Sequence, residues 1–304
     1  MPCSRPRSRS ASARVRGLLI VSIATVLALL LRGLPHAMVL RIGRTLGRAA
    51  RRVMHRRRRV AEANIDQCFP EKSASERARL VREHFAHLGM MIVEVLVFAQ
   101  WEQRFAGRVQ VSGRECLDEM LKDQAGFVVF VPHCGNWELL APLWPYLHPD
   151  PMVLVLPITY GAVDRLVMRC RTVTGIEIVA RTGGLRRAVT GVKNGRAVGF
   201  LADQDAGDGG VFVPFFGKPI SCERSPVAIA RRLGRPVILC TTFRADDGSH
   251  RVMLERMPDV PTDGADADRA ALEWIYARLE QHVRQHPSQW LWIHRRWKTQ
   301  PVAS

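Results

Sequence analysis

Residues 126–138 read Gly-Phe-Val-Val-Phe-Val-Pro-His-Cys-Gly-Asn-Trp-Glu, a buried-strand pattern followed by candidate catalytic side chains. The apolar run from Phe127 to Val131 is typical of a strand covered on both faces of a sheet. His133 falls at its carboxyl end, and Glu138 follows five positions later. An imidazole suits proton abstraction near neutral pH, and a neighbouring carboxylate can orient it and stabilise its charged form. We predict that His133 and Glu138 form a catalytic pair; the alternative is a structural histidine beside an unrelated helix carboxylate.

Strands and helices alternate from residue 105 onward. The predicted strands are 109–112, 127–132, 152–156, 177–179, 197–201, 237–243 and 251–254. The predicted helices lie near 114–122, 137–146, 163–173, 184–193, 225–233 and 268–286. Strands separated by helices of this length indicate an α/β fold, a layered mixed sheet flanked by helices. Ligands of such folds collect at the carboxyl ends of the strands, where His133 and the turn after strand 197–201 both fall.

That second turn carries Asp203, Gln204 and Asp205. Their side chains could hold a substrate amide, a hydroxyl or active-site arginines, although acidic turns of this kind are commonly structural. The spacing resembles a calcium loop, but its twelfth position is Pro214 rather than a bidentate glutamate. We therefore predict substrate binding by these three residues and no metal site.

Three arginines are further candidates for binding substrate. Arg181 and Arg186 flank a glycine pair at a predicted strand-to-helix junction, which is a suitable place for a phosphate contact. Arg169, like its neighbour Arg171, lies on the preceding helix. We predict that Arg169, Arg181 and Arg186 bind substrate; the alternative for each is a solvated surface cation.

The chain shows no serine or cysteine nucleophile elbow. Cys134 adjoins His133, but at a strand end its side chain points the opposite way. A histidine base without a protein nucleophile implies that a substrate hydroxyl or water attacks. The seven cysteines are scattered without Cys-x-x-Cys pairs, which indicates reduced thiols and supplies no zinc site. They are Cys3, Cys68, Cys116, Cys134, Cys170, Cys222 and Cys240.

The formal charge of +17 is concentrated near the amino terminus. Residues 1–60 hold fifteen arginines and no Asp, Glu or Lys, while residues 61–304 hold 30 basic and 28 acidic side chains. A nucleic-acid binder more often spreads its cations over the folded surface among stacking aromatics. The cations here bracket an apolar segment, so we predict an anionic membrane surface as partner and no nucleic acid.

Residues 17–40 form this apolar segment, which Arg32 interrupts. The stretch before Arg32 is slightly short for a membrane span unless that arginine snorkels. We predict a retained membrane anchor; a cleaved signal peptide and a buried helix are the alternatives. More arginines follow the segment than precede it, which predicts a cytoplasmic body.

Four regions are expected along the chain: a disordered basic tail (1–16), the membrane anchor (17–40), a basic, helical, membrane-proximal region (41–104) and an α/β catalytic domain (105–304). Within the third, residues 41–59 are predicted to form one basic amphipathic helix against anionic headgroups, or else a solvated helix. Residues 73–100 are predicted to form a second helical region, capped by Ser75 and packed onto the catalytic domain.

Four segments together resemble the late acyltransferases of lipid A biosynthesis, the lauroyl/myristoyl transferase family. They are residues 56–65 (Arg-Arg-Arg-Arg-Val-Ala-Glu-Ala-Asn-Ile) with Cys68-Phe69-Pro70, His133 to Glu138, Asp203-Gln204-Asp205 with 210–217, and the tail 287–299. The tail contains Gln289-Trp290-Leu291-Trp292, a dense aromatic run that predicts either a core strand with a basic edge or an interfacial aromatic belt.

The resemblance implies the wider glycerolipid acyltransferase fold and an enzyme of the bacterial inner membrane with its catalytic domain in the cytoplasm. It implies transfer of an acyl chain from acyl carrier protein to a hydroxyl of a lipid A precursor, with His133 as general base, Glu138 as its partner, and no acyl-enzyme, metal or cofactor. Two alternatives stay open. One is an acyltransferase on another membrane glycolipid, such as a phosphoinositol mannoside, using acyl-CoA; the other is a non-catalytic membrane-binding protein.

Overall fold

The computed structural model describes residues 11–156, 161–258 and 266–301. Most of the predicted disordered tail, residues 1–10, lies outside the described residues. Residues 11–16, predicted to belong to that tail, instead begin the first helix.

Within the described residues, seven strands form one mixed sheet, in the order β1-β9-β8-β2-β5-β3-β4. Strands β8 and β9 pair antiparallel, and all the other neighbours in this sheet pair parallel. A separate antiparallel hairpin is formed by β6 and β7. The strands are β1 (Val109–Ser112), β2 (Phe127–Val131), β3 (Pro151–Val155), β4 (Glu177–Ala180), β5 (Ala197–Leu201), β6 (Val211–Phe215), β7 (Lys218–Cys222), β8 (Val237–Arg244) and β9 (His250–Arg256). The predicted α/β class with a mixed sheet is confirmed.

Helices cover both faces of the sheet. They are α1 (Ala11–Arg32), α2 (His36–Val53), α3 (His55–Cys68), α4 (Ala74–Leu96), α5 (Trp101–Arg104), α6 (Glu115–Lys122), α7 (Leu140–Leu143), α8 (Gly161–Arg171), α9 (Arg181–Lys193), α10 (Ser225–Leu233) and α11 (Ala267–Gln285). The single helix predicted near 137–146 is divided into α7 and two flanking 3₁₀ turns. Pro142 and Pro145 account for the division, because proline lacks the amide hydrogen that a continuing helix needs.

Two hydrophobic cores lie on opposite faces of the sheet. Alternate residues of β2 point to opposite sides: Val128 and Phe130 pack in the core that includes α10 and α11, whereas Val129 packs in the core that includes α6 and α7. All five residues of β2 are buried, as the apolar run predicts. The central strand therefore holds the residues that follow it in a rigid setting.

The apolar helix α1 ends at Arg32, and residues 36–40 of the predicted anchor belong to α2 instead. Residues Val15–Arg32 have a mean hydropathy of 2.1, and 11% of that stretch is buried against the rest of the protein. By length and composition this helix can cross a membrane. The guanidinium of Arg104 donates to the backbone oxygens of Arg32, at 2.6 Å, and Leu34, at 3.0 Å, and so fixes the turn after α1 to the body.

Helix α2 packs against α4 at backbone distance. A Cβ added at Gly47 would lie 2.0 Å from the backbone oxygen of Phe85, and one at Gly89 would lie 2.1 Å from that of Gly43. The predicted single helix over 41–59 is wrong: α2 ends at Val53 and α3 starts at His55, because the backbone of Met54 between them is not helical, with φ −87° and ψ 54°.

The start of α4 corrects a smaller prediction. Ser73, rather than Ser75, caps this helix, and it forms a reciprocal capping box with Glu76. A serine placed two residues further on lies within the first turn, where its side chain cannot take the N-cap position.

Candidate active site

His133 is bonded to Asp203 at the carboxyl edge of the sheet. Strands β2 and β5 are parallel neighbours with Val131 opposite Leu201, so positions two residues further along come to the same height. The ring Nδ1 of His133 pairs with one carboxylate oxygen of Asp203. The backbone N–H of His133 donates to the other oxygen at 2.9 Å, as does the indole N–H of Trp290, also at 2.9 Å. Two parallel strands thus assemble a buried imidazole–carboxylate pair.

Asp203 is ionised in this setting. Only 2% of the residue is exposed, and such burial raises the pKa of a carboxyl. The electrostatic interaction with His133 and the hydrogen bonds from His133 and Trp290 outweigh burial, so the pKa of Asp203 is lower than its ordinary value. A carboxylate held in this state orients the imidazole and stabilises its protonated form.

The opposite ring nitrogen of His133 is the one that can act on a substrate. With a proton on Nδ1 shared with Asp203, Nε2 carries the lone pair. The amide nitrogen of Gln204 lies 3.3 Å from Nε2 and donates toward it. The Trp137 ring packs edge-on against the imidazole, with ring centroids 5.0 Å apart. This tautomer is the one that a general base requires.

Glu138 is bonded to a different residue from the one predicted. Arg171 donates two hydrogen bonds to the carboxylate of Glu138, from Nε at 2.6 Å and from Nη2 at 2.7 Å. The indole of Trp137 donates to the same carboxylate at 3.2 Å. The orienting contact that the sequence assigned to Glu138 is therefore made by Asp203. The reason is the parallel register, which brings Asp203 level with His133, whereas Glu138 on its 3₁₀ turn meets α8.

The remaining predicted residues divide between the site and its surroundings. Asp205 accepts hydrogen bonds from the hydroxyl of Thr299 at 2.9 Å and from its backbone N–H at 3.3 Å, which ties down the carboxyl-terminal segment. Arg181 pairs with Glu223. The side chains of Arg169 and Arg186 are exposed. Among the described contacts, none joins these three arginines to His133 or Asp203.

Sequence reasoning missed Arg171 and Trp290 as members of the site. Burial lowers the pKa of an arginine, but the hydrogen bonds and charge of Glu138 prevail and raise the pKa of Arg171. The aromatic run that contains Trp290 could have indicated its place in the site, because a buried indole needs an acceptor for its N–H. Trp290 and Trp292 are both buried, so the tail is part of the core rather than an interfacial belt.

The carboxyl-terminal tail (287–299) also fixes the backbone of the turn after β2, residues 132–138, which carries His133 and is here called the catalytic turn. Leu291 N–H donates to the backbone oxygen of His133 at 3.1 Å, and Gly135 N–H donates to that of Gln289 at 2.7 Å. Gly135 has a φ of +55°, and a Cβ there would lie 2.0 Å from the backbone oxygen of Thr242. Only glycine fits this position without displacing β8.

Cys134 is not placed to act as a nucleophile. The residue is fully buried and pairs through its backbone with Trp290. Burial and the charge of Asp203 raise the pKa of its thiol well above the ordinary value, so it stays protonated. The six cysteines within the described ranges are free thiols. In those same ranges no group of three or more His, Cys, Asp or Glu side chains is arranged to hold a metal ion.

A small apolar cavity lies beside the catalytic turn, on the sheet face opposite α10 and α11. Its volume is about 30 Å³, roughly the space of one water molecule. The walls are mostly aliphatic, and Glu138 and Arg171 contribute the polar part. The lining includes Val131, Trp137, Ala141, Val153 and Leu201. The ring of Trp137 therefore touches both this cavity and the imidazole of His133.

Comparison with known proteins assigns the class of this enzyme. Residues 7–299 match the family model described as bacterial lipid A biosynthesis acyltransferase. A lipid A biosynthesis palmitoleoyltransferase of Escherichia coli K12 is 30% identical over 275 residues, covering 89% of this chain and 88% of the relative. The lauroyltransferase of the same organism is 27% identical, covering 88% of each chain, and its myristoyltransferase is 26% identical, covering 84% of this chain and 79% of the relative.

The protein is accordingly an acyltransferase. Since the family model spans nearly the whole sequence, the chain belongs to the bacterial lipid A biosynthesis acyltransferase family. The resemblance found in the sequence is confirmed, and with α1 exposed and apolar, membrane association follows from both lines of observation.

Proposed function

We propose that this protein transfers a fatty acyl chain from acyl carrier protein directly to a hydroxyl group of a lipid A precursor, with His133 as general base. The observation that carries the proposal is the His133–Asp203 pair, whose imidazole packs against Trp137, a residue that also lines the apolar cavity. The family supplies the reaction class, and the geometry supports the proposed roles of the residues.

In the proposed mechanism, Nε2 of His133 removes the proton from the acceptor hydroxyl as its oxygen attacks the thioester carbonyl. A tetrahedral oxyanion forms while Asp203 stabilises the imidazolium. The intermediate collapses by breaking the carbon–sulfur bond, and the imidazolium returns its proton to the departing thiolate. The products are the new ester and the free carrier thiol, and His133 is regenerated. Cys134 is buried and protonated, so this route needs no acyl-enzyme on that thiol.

The apolar cavity is the proposed start of the acyl-chain site. At about 30 Å³ it is too small to hold an acyl chain, so an incoming chain would have to displace its walls. One wall belongs to α8, through Arg171, and α8 packs against α1. An acyl chain leaving the site on this side would therefore meet the helix that is proposed to lie in the membrane. The Glu138–Arg171 pair marks the polar edge of this path.

A substitution in the cavity wall tests its role in selecting chain length. Phenylalanine in place of Ala141 is larger than the cavity and would obstruct the path opened by an incoming chain, so we expect the variant to discriminate against the longest accepted acyl chain by at least about tenfold while it still uses shorter chains. Competition between acyl carrier proteins of different chain length, read out by mass spectrometry of the lipid product, measures this ratio. Ala270→Phe, at an exposed position of α11, is the matched control. An unchanged ratio in Ala141→Phe would exclude the cavity from the acyl site.

Helix α2 is the proposed contact with the anionic leaflet. One side of this helix presents Arg41, Arg44 and Arg48 to solvent, and another presents the apolar side chains of Met38 and Leu46. A helix with one basic face and one apolar face suits the boundary between headgroups and acyl chains. The same arginines would attract an acidic carrier protein. With α1 as the anchor, the excess of arginines after it supports a catalytic domain on the cytoplasmic side of the inner membrane.

The direct test of the proposed function pairs donors with acceptors. The purified full chain would be offered acyl carrier protein and CoA carrying the same acyl group, each with a lipid A precursor and with a phosphoinositol mannoside. We expect a lipid A precursor heavier by one acyl group, formed faster from the carrier protein. Faster acylation of the mannoside would show that the acceptor is a glycolipid other than a lipid A precursor. Faster reaction with acyl-CoA would show that acyl-CoA, rather than acyl carrier protein, is the donor.

A further inference from the structure

A buried ion cluster lies behind the catalytic turn. Glu94, in the last turn of α4, is fully buried, and both of its oxygens accept hydrogen bonds from the guanidinium of Arg244 at the end of β8. The Nε2 atom of His250 lies 3.1 Å from Oε1 of the same carboxylate. Burial raises the pKa of Glu94, but the charges and hydrogen bonds of Arg244 and His250 prevail, so the pKa is well below its ordinary value. Glu94 is therefore an ionised carboxylate, and its charge is paired with that of the Arg244 guanidinium.

Asn136 connects this cluster to the catalytic turn. Its side-chain amide donates to Oε2 of Glu94 at 2.8 Å, and the residue is fully buried. In the sequence, Asn136 lies between His133 and Glu138. Because the acceptor is itself fixed by Arg244, the amide has one strongly preferred position. The turn is thus attached to a carboxylate that cannot easily move.

Two further contacts join the same turn to the same elements. His87, on α4, donates from Nε2 to the backbone oxygen of Gly135 at 3.0 Å. Burial and the charge of Arg244 lower the pKa of His87 to about 3, so the ring is neutral. The side-chain amide of Gln289 binds both backbone groups of Arg244, at 2.8 and 2.9 Å. The backbone of Gln289 in turn accepts from Gly135.

A buried ion pair is a poor device for stability alone, since its desolvation offsets much of its attraction. Its value is geometric, because a paired and immobile charge specifies where its hydrogen-bond donors lie. We infer that Glu94 and Asn136 are positioning residues: the Glu94–Arg244 pair fixes Asn136 and thereby the turn that presents His133 to the acceptor hydroxyl. This inference rests on the proposed role of His133.

The cluster also reaches the membrane-proximal helices. The Nε2 atom of His36, the first residue of α2, lies 3.5 Å from Oε1 of Glu94. One carboxylate therefore contacts the start of the helix that follows the anchor and, through Asn136, the catalytic turn.

The test is the substitution Asn136→Ala in the full chain. It removes the donor to Glu94 and leaves the Glu94–Arg244 pair intact. We expect kcat to fall at least about tenfold, because small misplacement of a catalytic group is costly. KM for donor and acceptor should change less than threefold, and hydrogen exchange should accelerate in 133–138 but not in β9. Thr242→Val is the matched control, since Thr242 is equally buried beside the turn and its hydroxyl has no hydrogen-bond partner within the described structure.

A second variant separates positioning from folding. Asn136→Ser keeps a hydrogen-bond donor in a smaller side chain, so its kcat should lie between those of the alanine variant and the wild type. A kcat within twofold of wild type for Asn136→Ala would overturn the inference. Equal loss of activity in both variants, with exchange accelerated throughout the sheet, would also overturn it by showing a purely structural role. An inactive wild type would instead count against the proposed function.

Discussion

Replacing His133 by glutamine is expected to lower kcat by about 100-fold to 10,000-fold, the usual contribution of a positioned general base. Glutamine retains an amide that can donate to Asp203, so the buried carboxylate keeps a partner and the fold should persist. What is lost is the basic nitrogen that faces the substrate. Steady-state acyl transfer, measured with the lipid product resolved by mass spectrometry, gives kcat and KM separately.

Two controls make the His133 result interpretable. His55→Gln changes an exposed histidine at the start of α3 and should leave kcat unchanged. Circular dichroism should show the same thermal transition for His133→Gln as for wild type within a few degrees. A folded His133→Gln enzyme with more than half of the wild-type kcat would refute the role of His133 as base.

The second large effect is expected at Asp203. Asparagine there removes the charge that stabilises the imidazolium, and its amide presents one oxygen where the carboxylate accepts from His133 and Trp290 with two. The ring of His133 would then turn its proton toward the substrate, and we expect kcat to fall by at least about 100-fold. A kcat for Asp203→Asn close to that of wild type would contradict the pairing.

Glu138→Gln provides the decisive comparison for Asp203→Asn. It weakens the bond to Arg171 without touching the imidazole, so kcat should fall less than in Asp203→Asn. A larger loss at Glu138 than at Asp203 would restore the original assignment from the sequence, with Glu138 as the partner of His133.

The lowered pKa of Asp203 also predicts that the stability of the folded protein depends on pH. Its pKa in the folded protein is lowered, so the unfolded chain binds its proton more readily. The stabilisation is therefore fully present above the unfolded value, near 3.9, and is lost as the pH falls through the folded value. The difference in unfolding free energy between wild type and Asp203→Asn should accordingly be constant near neutral pH and shrink below about pH 4. Urea unfolding at several pH values measures it.

Local sequence pattern predicted most of the architecture. The apolar run of β2 and the alternation of strands with helices after residue 105 were sufficient for the α/β class, and β1 and β5 have the predicted bounds. The hairpin of β6 and β7 was not predicted as a pair of strands. Pro214 and Pro219 face each other within it, and proline inside a strand weakens the pattern by which strands are recognised.

The catalytic partner could not be derived in the same way. Asp203 and His133 meet because β5 lies next to β2, and this strand order is a property of the whole sheet. Local spacing instead favoured Glu138, which is near His133 in sequence but bonded to Arg171 in space. The indole of Trp290 reaches the site from 87 residues beyond Asp203. Contacts between residues so far apart in sequence leave no local pattern, although the dense aromatic composition of residues 287–299 marks that segment as important.

The central claim is that the acyl chain passes directly from the carrier protein to the lipid, without an acyl-enzyme, and that His133 activates the acceptor hydroxyl. A rapid-quench single-turnover experiment with an isotopically labelled acyl donor tests it most directly, with intact-protein and lipid mass spectra taken at each time point. The mechanism predicts that label appears in the lipid as it leaves the carrier, with the enzyme at its unmodified mass throughout. A labelled acyl-enzyme that forms and decays at the rate of turnover would contradict it.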